Sequence, residues 1–209
     1  MDTNKDAVAI FDKLAEQYQD KFMDVNIYHD SLVLFCNELH RNGASVLDIA
    51  CGPGNVTKYL LNKRPDLRIL GIDLALNMLT LAMVNSPGAE FRLLDSRNIS
   101  TLGSKSDGVV CAFCLPYLSE EEALKLIGDA ADLLNPDGIF YISTMEEDEH
   151  NHSGYKTSSS GDRMYIHYHT GNALLAALRA KGLHIIDTQR ITYSTNGEPV
   201  TDLVIIARK

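Results

Sequence analysis

The sequence is short of basic charge. Nineteen Lys and Arg stand against 28 Asp and Glu among 209 residues, a formal net charge of −9. No Lys/Arg cluster breaks this balance, so the basic footprint of nucleic-acid binding is missing. Long apolar runs are missing too: none approaches the roughly 20 residues that span a bilayer, so no membrane partner is expected. The polar opening residues, followed by an amphipathic stretch, do not read as a secretory leader, and a cytoplasmic location is expected. Cysteines number only four: Cys36, Cys51, Cys111 and Cys114. Cys111 and Cys114 form a C-x-x-C, but there is no second pair. On a strand, residues three apart face opposite sides, so buried reduced thiols are expected rather than zinc or redox chemistry. The run Glu146-Glu147-Asp148-Glu149 with His150 and His152 reads as a solvated surface, and no metal is expected. Internal repeats are absent, and the only low-complexity stretch is a short polar one at residues 157–161.

What is present is a strand–helix alternation. Val8, Phe11, Ala15, Tyr18 and Phe22 recur at helical spacing, as do Tyr28, Leu32, Phe35, Cys36 and Leu39, so two helices are expected before a stop at Arg41-Asn42-Gly43. Strands are expected at Ser45–Ile49, Arg68–Ile72, Glu90–Leu94, Gly108–Phe113 and Ile139–Ser143. Helices are expected over Val56–Leu61 and Leu76–Val84. A further helix is capped by Ser119 with Glu122 as its capping-box partner and ends at the turn Asn135-Pro136-Asp137-Gly138. Such alternation implies a parallel sheet with helices on both faces. The end of the chain differs. Leu183–Ile191 and Leu203–Ala207 are strand-like and are joined through Asn196-Gly197 and Pro199 with no helix between, which requires an antiparallel pair. The expected fold is α/β: a doubly wound, mostly parallel sheet with a C-terminal antiparallel hairpin.

In such sheets ligands bind beyond the carboxyl ends of the strands, where the strand order reverses. The loop after the first strand runs Asp48-Ile49-Ala50-Cys51-Gly52-Pro53-Gly54-Asn55. Its small residues allow a sharp turn and close approach to a ligand, and Pro53 stiffens it. It is not the dinucleotide G-x-G-x-x-G. Asp48 would repel a pyrophosphate but suits an ammonium group. Asp73 closes the second strand at about the offset where an acid binds ribose hydroxyls.

These residues carry a specific resemblance. Val46–Tyr59 resembles motif I of the class I S-adenosylmethionine-dependent methyltransferases, Gly71-Ile72-Asp73-Leu74 resembles motif II, and Leu94-Asp95-Ser96 resembles the third cofactor motif. Ala50 stands where the first glycine often does. The resemblance extends from Ser45 to Lys209 and implies a seven-stranded, Rossmann-like, small-molecule-type methyltransferase using S-adenosyl-L-methionine. It implies that Asp48 meets the methionine end of the cofactor, directly or through water, and that the backbone of Ala50, Cys51, Gly52, Pro53 and Gly54 lines it. Asp73 is implied to accept from both ribose hydroxyls, with Leu74 and Met78 near the adenine, Asp95 on its amino group and Ser96 reading the ring. Ala112, Phe113 and Cys114 are implied to face the transferring methyl, and the aromatic faces of Tyr18, Phe113 or Tyr117 suit its cation.

The chain then reads as one domain: a helical cap (1–43), a cofactor core (45–145), a specificity insert (146–170) and a C-terminal helix and hairpin (171–209). In the insert, strand spacing puts Tyr165 and His167 on one face and Met164, Ile166 and Tyr168 on the other. Thr170 caps the last helix, which stops at Gly182. Tyr117, Tyr155, Tyr165 and His167 are the candidate acceptor contacts. His167 and His169 are the candidate general bases, needed only if the acceptor is a hydroxyl or a protonated amine. Cys114-Leu115-Pro116-Tyr117 is not the Asn/Asp-Pro-Pro-Tyr signature of amino-methylating nucleic-acid enzymes. A small-molecule acceptor is expected, with a protein methyltransferase, a non-catalytic cofactor-binding adaptor and a nicotinamide-dependent oxidoreductase as alternatives. Monomer and homodimer both stay open.

Overall fold

A computed structural model of the chain describes residues 2–157, 161–195 and 198–209. Asn196-Gly197, expected at the hairpin turn, and most of the polar stretch 157–161 lie outside the described residues. The main sheet contains β1 (Ser45–Ile49), β2 (Arg68–Asp73), β3 (Glu90–Leu93), β4 (Ser106–Ala112), β5 (Leu134–Met145), β8 (His184–Thr195) and β9 (Glu198–Arg208) in the order β3-β2-β1-β4-β5-β9-β8. The first five strands are parallel, and β9 lies antiparallel between β5 and β8. The expected seven-stranded sheet and terminal hairpin are therefore both present. A small second sheet pairs β6 (Gly154–Thr157) with β7 (Arg163–Ile166). No helix among the described residues is long and apolar enough to cross a membrane.

Continuous apolar runs mark strands covered on both faces. Leu47, Ile49, Val109, Cys111, Ile142 and Ile205 pack on one side with α6 (Glu120–Leu133) and α7 (Gly171–Ala180). Their neighbours Val46, Val110, Tyr141 and Val204 pack on the other side against α3 (His29–Glu38) and α4 (Asn55–Lys63). The capping box at α6 forms as expected: Ser119 Oγ accepts from Glu122 N, and Glu122 accepts from Ser119 N.

Two expectations change. The helical spacing from Val8 to Phe22 spans two helices, α1 (Thr3–Lys13) and α2 (Ala15–Phe22), because Leu14 leaves helical geometry at φ −104°, ψ 18°. The bend lets both pack on α5 (Leu76–Asn85). Asn135–Gly138 is not a loop. β5 already begins at Leu134, and the turn residues become a register shift against β4, with Asp137 at φ 62°.

Beyond the carboxyl ends of β1 and β4, where the strand order reverses, α1 and α2 form a roof. Asp12 of α1 caps α5: its Oδ1 accepts from Asn77 N at 2.8 Å, a service no side chain of α5 performs. Arg97 ties Asp2, the N-cap of α1, to Asp95 and Glu122.

Candidate active site

The site begins with backbone geometry. Ala50 and Phe113 follow β1 and β4, and both sit at φ 55°, a left-handed conformation that L side chains rarely adopt. Such strained residues cluster at functional sites. Gly54, at φ 79°, turns the chain into α4; a Cβ there would lie 3.3 Å from Ala82. Asp73 fixes the loop from the neighbouring strand. Its Oδ2 accepts from Gly52 N at 2.9 Å and its Oδ1 from Ala75 N at 2.8 Å. Burial raises its pKa, although the backbone N–H groups oppose the shift.

A narrow cleft of about 80 Å³ runs along these loops. Tyr18, Ala50, Gly52, Asp73, Leu74, Met78, Asp95, Ser96, Ala112, Phe113, Cys114 and Tyr117 all line it, so the fold converges most of the expected cofactor residues. Asn4, Ala7, Val8 and Phe11 of α1 form its roof. Asp95 is already engaged: Arg97 Nη2 lies 2.6 Å from it. Burial alone would raise the Asp95 pKa, but the guanidinium reverses the effect and leaves it lowered.

Other expected cofactor residues stand back. Asp48 is 1 % exposed and faces α4, where Thr57 Oγ1 donates to it at 2.6 Å. Its burial pushes the pKa up to about 7. The carboxylate is thus placed behind the loop, without a lining position in the cleft. Pro53 and Gly54 also lie outside the cleft; Pro53 accepts at its carbonyl from Asn85 Nδ2, and Gly54 begins α4. The C-x-x-C geometry differs from expectation. β4 ends at Ala112, so Cys114 lies past the strand, and its side chain interacts with that of Cys111. All four cysteines are buried and free.

A larger cavity of about 490 Å³ adjoins the cleft, and the two meet at Phe11, Tyr18, Phe113 and Tyr117. Cys51 lines this larger cavity. So do Phe22, Tyr28, Tyr141, Met145, Met164 and Tyr193, none of which was singled out as a contact from the sequence. The walls are aromatic: the Tyr28 and Phe113 rings lie 5.4 Å apart, and those of Phe11 and Tyr117 lie 4.8 Å apart. Tyr28 had read as a core position of a helical stripe. Its hydroxyl is turned instead toward Asp202 of β9, with 2.5 Å between the oxygens.

The insert residues divide differently. His167 and His169 line a third cavity with Glu120, Ser153 and Thr170, which shares no lining residue with the cleft or the large cavity. His169 is buried, with Nε2 2.9 Å from the Leu115 carbonyl oxygen, and His167 N donates to the Pro116 carbonyl. Burial lowers the His167 pKa. Tyr165 and His167 do share a face, with rings 4.6 Å apart, and Tyr155 stacks edge-on against Tyr165 at 5.2 Å. Neither Tyr155 nor Tyr165 lines the large cavity; Met164 between them in the hairpin does.

With this geometry in hand, comparison with known proteins becomes informative. Residues 46–138 match the family model described as a methyltransferase domain. That match spans somewhat less than half of the chain. The chain is 30 % identical over 116 residues to a demethylmenaquinone methyltransferase of Thermotoga maritima, covering 53 % of this chain and 50 % of that protein. It is 30 % identical over 106 residues to a trans-aconitate 2-methyltransferase of Variovorax paradoxus, covering 51 % of this chain and 40 % of that protein. The chain thus spans half or less of the length of these two relatives. In fold it superposes on 1,6-didemethyltoxoflavin-N1-methyltransferase of Burkholderia thailandensis, solved with 1,6-didemethyltoxoflavin and S-adenosylhomocysteine, with a TM-score of 0.73. That match has 23 % identity and covers 98 % of this chain and 88 % of the other.

Proposed function

We propose that this chain is an S-adenosylmethionine-dependent methyltransferase acting on a small-molecule acceptor. The observation that carries the reading is the meeting of two spaces at Tyr18, Phe113 and Tyr117: an Asp73-anchored cleft with the cofactor residues, and a larger apolar cavity. When bound, S-adenosylmethionine supplies an electrophilic methyl group on a cationic sulfur. Asp73 is suited to the ribose hydroxyls, because each of its oxygens keeps accepting capacity beyond its one backbone N–H. Leu74, Met78 and Ser96 are suited to the adenine, and the aromatic faces of Tyr18 and Tyr117 to the sulfonium. Holding the acceptor in line is the protein's main contribution, worth roughly 7–11 kcal/mol in favourable cases.

The cleft is smaller than the roughly 300–1,000 Å³ of a small-molecule site, so cofactor entry requires α1 to lift. Residues 1–43 and the insert 146–170 act in this reading as covers on a single domain. The acidic surface argues against a nucleic-acid target, and the buried free cysteines suit a reducing, cytoplasmic setting. We assign no base role to His167 or His169, since they face another cavity.

Titration calorimetry with S-adenosylhomocysteine, with NAD as control, tests the reading. Micromolar binding of the former alone is expected. Asp73→Ala is expected to weaken it by about 1.5–3 kcal/mol, the loss of hydrogen bonds at a carboxylate. Binding of NAD alone would favour an oxidoreductase, and unchanged affinity in Asp73→Ala would remove the ribose assignment.

A further inference from the structure

We infer that the large cavity takes a flat, uncharged aromatic acceptor bearing a weakly acidic O–H or ring N–H, and that Tyr28, backed by Asp202, receives its proton. The inference rests on the methyltransferase reading for its chemistry, but its geometry is independent of the cofactor.

The cavity walls limit the ligand first. Tyr28, Phe113, Tyr141 and Tyr193 offer ring faces, and Val25, Leu32, Met145 and Met164 complete an apolar lining. Aromatic side chains favour stacked or edge-on aromatic partners. Among the described residues the only basic side chain in the lining is Lys21, which is exposed and lies over the Phe22 ring. A polycarboxylate acceptor therefore finds no buried cation, and it would meet the field of a buried carboxylate.

That carboxylate is Asp202, 0 % exposed. It sits on β9 between Met145 of β5 and Ile191 of β8, at the rim of the sheet where β5 ends. Tyr28 donates to Oδ2, and Tyr193 interacts with the same group. Oδ1 has no well-formed hydrogen bond among the described residues. Among the described residues no neighbouring cation accounts for its charge, and burial raises its pKa despite the two tyrosines. The titratable groups facing it are Tyr28 from the turn before α3, Tyr193 from β8, Tyr141 from β5 and Tyr168 from the insert. A buried carboxylate without a cation is costly to keep, and a merely structural strand position does not require one. Asp202 does not line the cavity, whereas Tyr28 and Tyr193 do. Tyr28 is therefore the catalytic residue and Asp202 its positioning partner.

The proton balance is simple. The acceptor's O–H or N–H proton passes to Tyr28 Oη as the Tyr28 proton passes to Asp202. The electron pair left on the acceptor bonds the methyl carbon as the carbon–sulfur bond breaks, its electrons remaining on sulfur. Burial beside Asp202 raises the Tyr28 pKa, which keeps the hydroxyl protonated and able to relay. The Asp202 proton then returns to solvent after product leaves.

The test uses the pair 4-nitrophenol and 4-nitroanisole, which differ by the proton in question. Each is titrated into the 209-residue chain by calorimetry, with and without saturating S-adenosylhomocysteine. 4-Nitrophenol is expected to bind roughly 2–10-fold tighter than 4-nitroanisole, the worth of one hydrogen bond to the Tyr28 hydroxyl. Tyr28→Phe and Asp202→Asn are each expected to bring the ratio close to one while leaving S-adenosylhomocysteine affinity unchanged. Impaired folding lowers both affinities together, whereas loss of the proton acceptor changes their ratio. Failure of both probes to bind, equal binding in the wild type, or a preference that survives both substitutions would overturn the inference. Loss of S-adenosylhomocysteine binding with the phenol preference intact would instead defeat the methyltransferase reading and leave this acceptor site standing.

Discussion

Asp48 shows how one carboxylate can shape the pH dependence of the whole chain. In the unfolded chain it titrates near the usual value of 3.8, and in the fold its pKa is about 7. Below the lower value both states are protonated. Between the two values the folded state keeps a proton that the unfolded state has released, so stability falls as pH rises and the loss is complete above about 7. Asp48→Asn removes this contribution while preserving an acceptor for Thr57. The melting temperature of the wild type is expected to fall between pH 5 and pH 8 more steeply than that of Asp48→Asn, as read by thermal denaturation. A residual slope is expected in the variant, because burial also raises the pKa of Asp73 and Asp202. Equal slopes would mean that Asp48 is not buried as charged. The same residue marks a limit of local reading. Its place after an apolar strand and before a glycine loop is visible in the sequence. Its rotation toward Thr57 depends on which face of β1 meets α4.

At the scale of elements, the roof over the Asp73 cleft is held by a few polar contacts. Asp12 caps α5 from α1 through Asn77 N and takes further bonds from Asn77 Nδ2. Removing a cap costs typically about 1 kcal/mol. Asp12→Ala is expected to destabilise the chain by about that amount and to speed hydrogen exchange across α1 and the first turn of α5. Release of S-adenosylhomocysteine is expected to quicken as well, since in the proposed reading α1 lifts to admit the cofactor. Exchange unchanged in both segments would show that the apolar contacts of α1 hold the roof without this cap. The capping box of α6, the Thr170 cap of α7 and the strands of the main sheet were legible because each is written in adjacent residues. The break at Leu14 was not, because helical spacing continues through it and only packing on α5 selects the bend.

Across the whole molecule, β9 joins the parallel core to the terminal hairpin. Ile205 is 1 % exposed and packs in the layer shared with α6 and α7, between β5 and β8. Ile205→Ala should cost roughly 2–5 kcal/mol through lost burial and the cavity left behind. Its denaturant midpoint should fall with little change in slope, as one cooperative domain would give. Separate transitions for the hairpin and the parallel strands would show that the two are distinct units.

The amino-acid sequence by itself determined the strand–helix alternation, the antiparallel end and the motif residues around Asp73. These follow from periodicity, caps and a short glycine loop, all of which act between near neighbours in the chain. It also determined the acidic surface and so the class of partner least suited to it. Only the tertiary structure decided which residues share a cavity. Tyr28, Met145, Met164 and Tyr193 come from four separate elements, and Asp202 reaches Tyr28 across 174 positions of sequence. It also placed His167 and His169 on a different cavity, where they dock against the carbonyls of Pro116 and Leu115. Burial and approach across such separations depend on packing, which spacing along the chain does not encode.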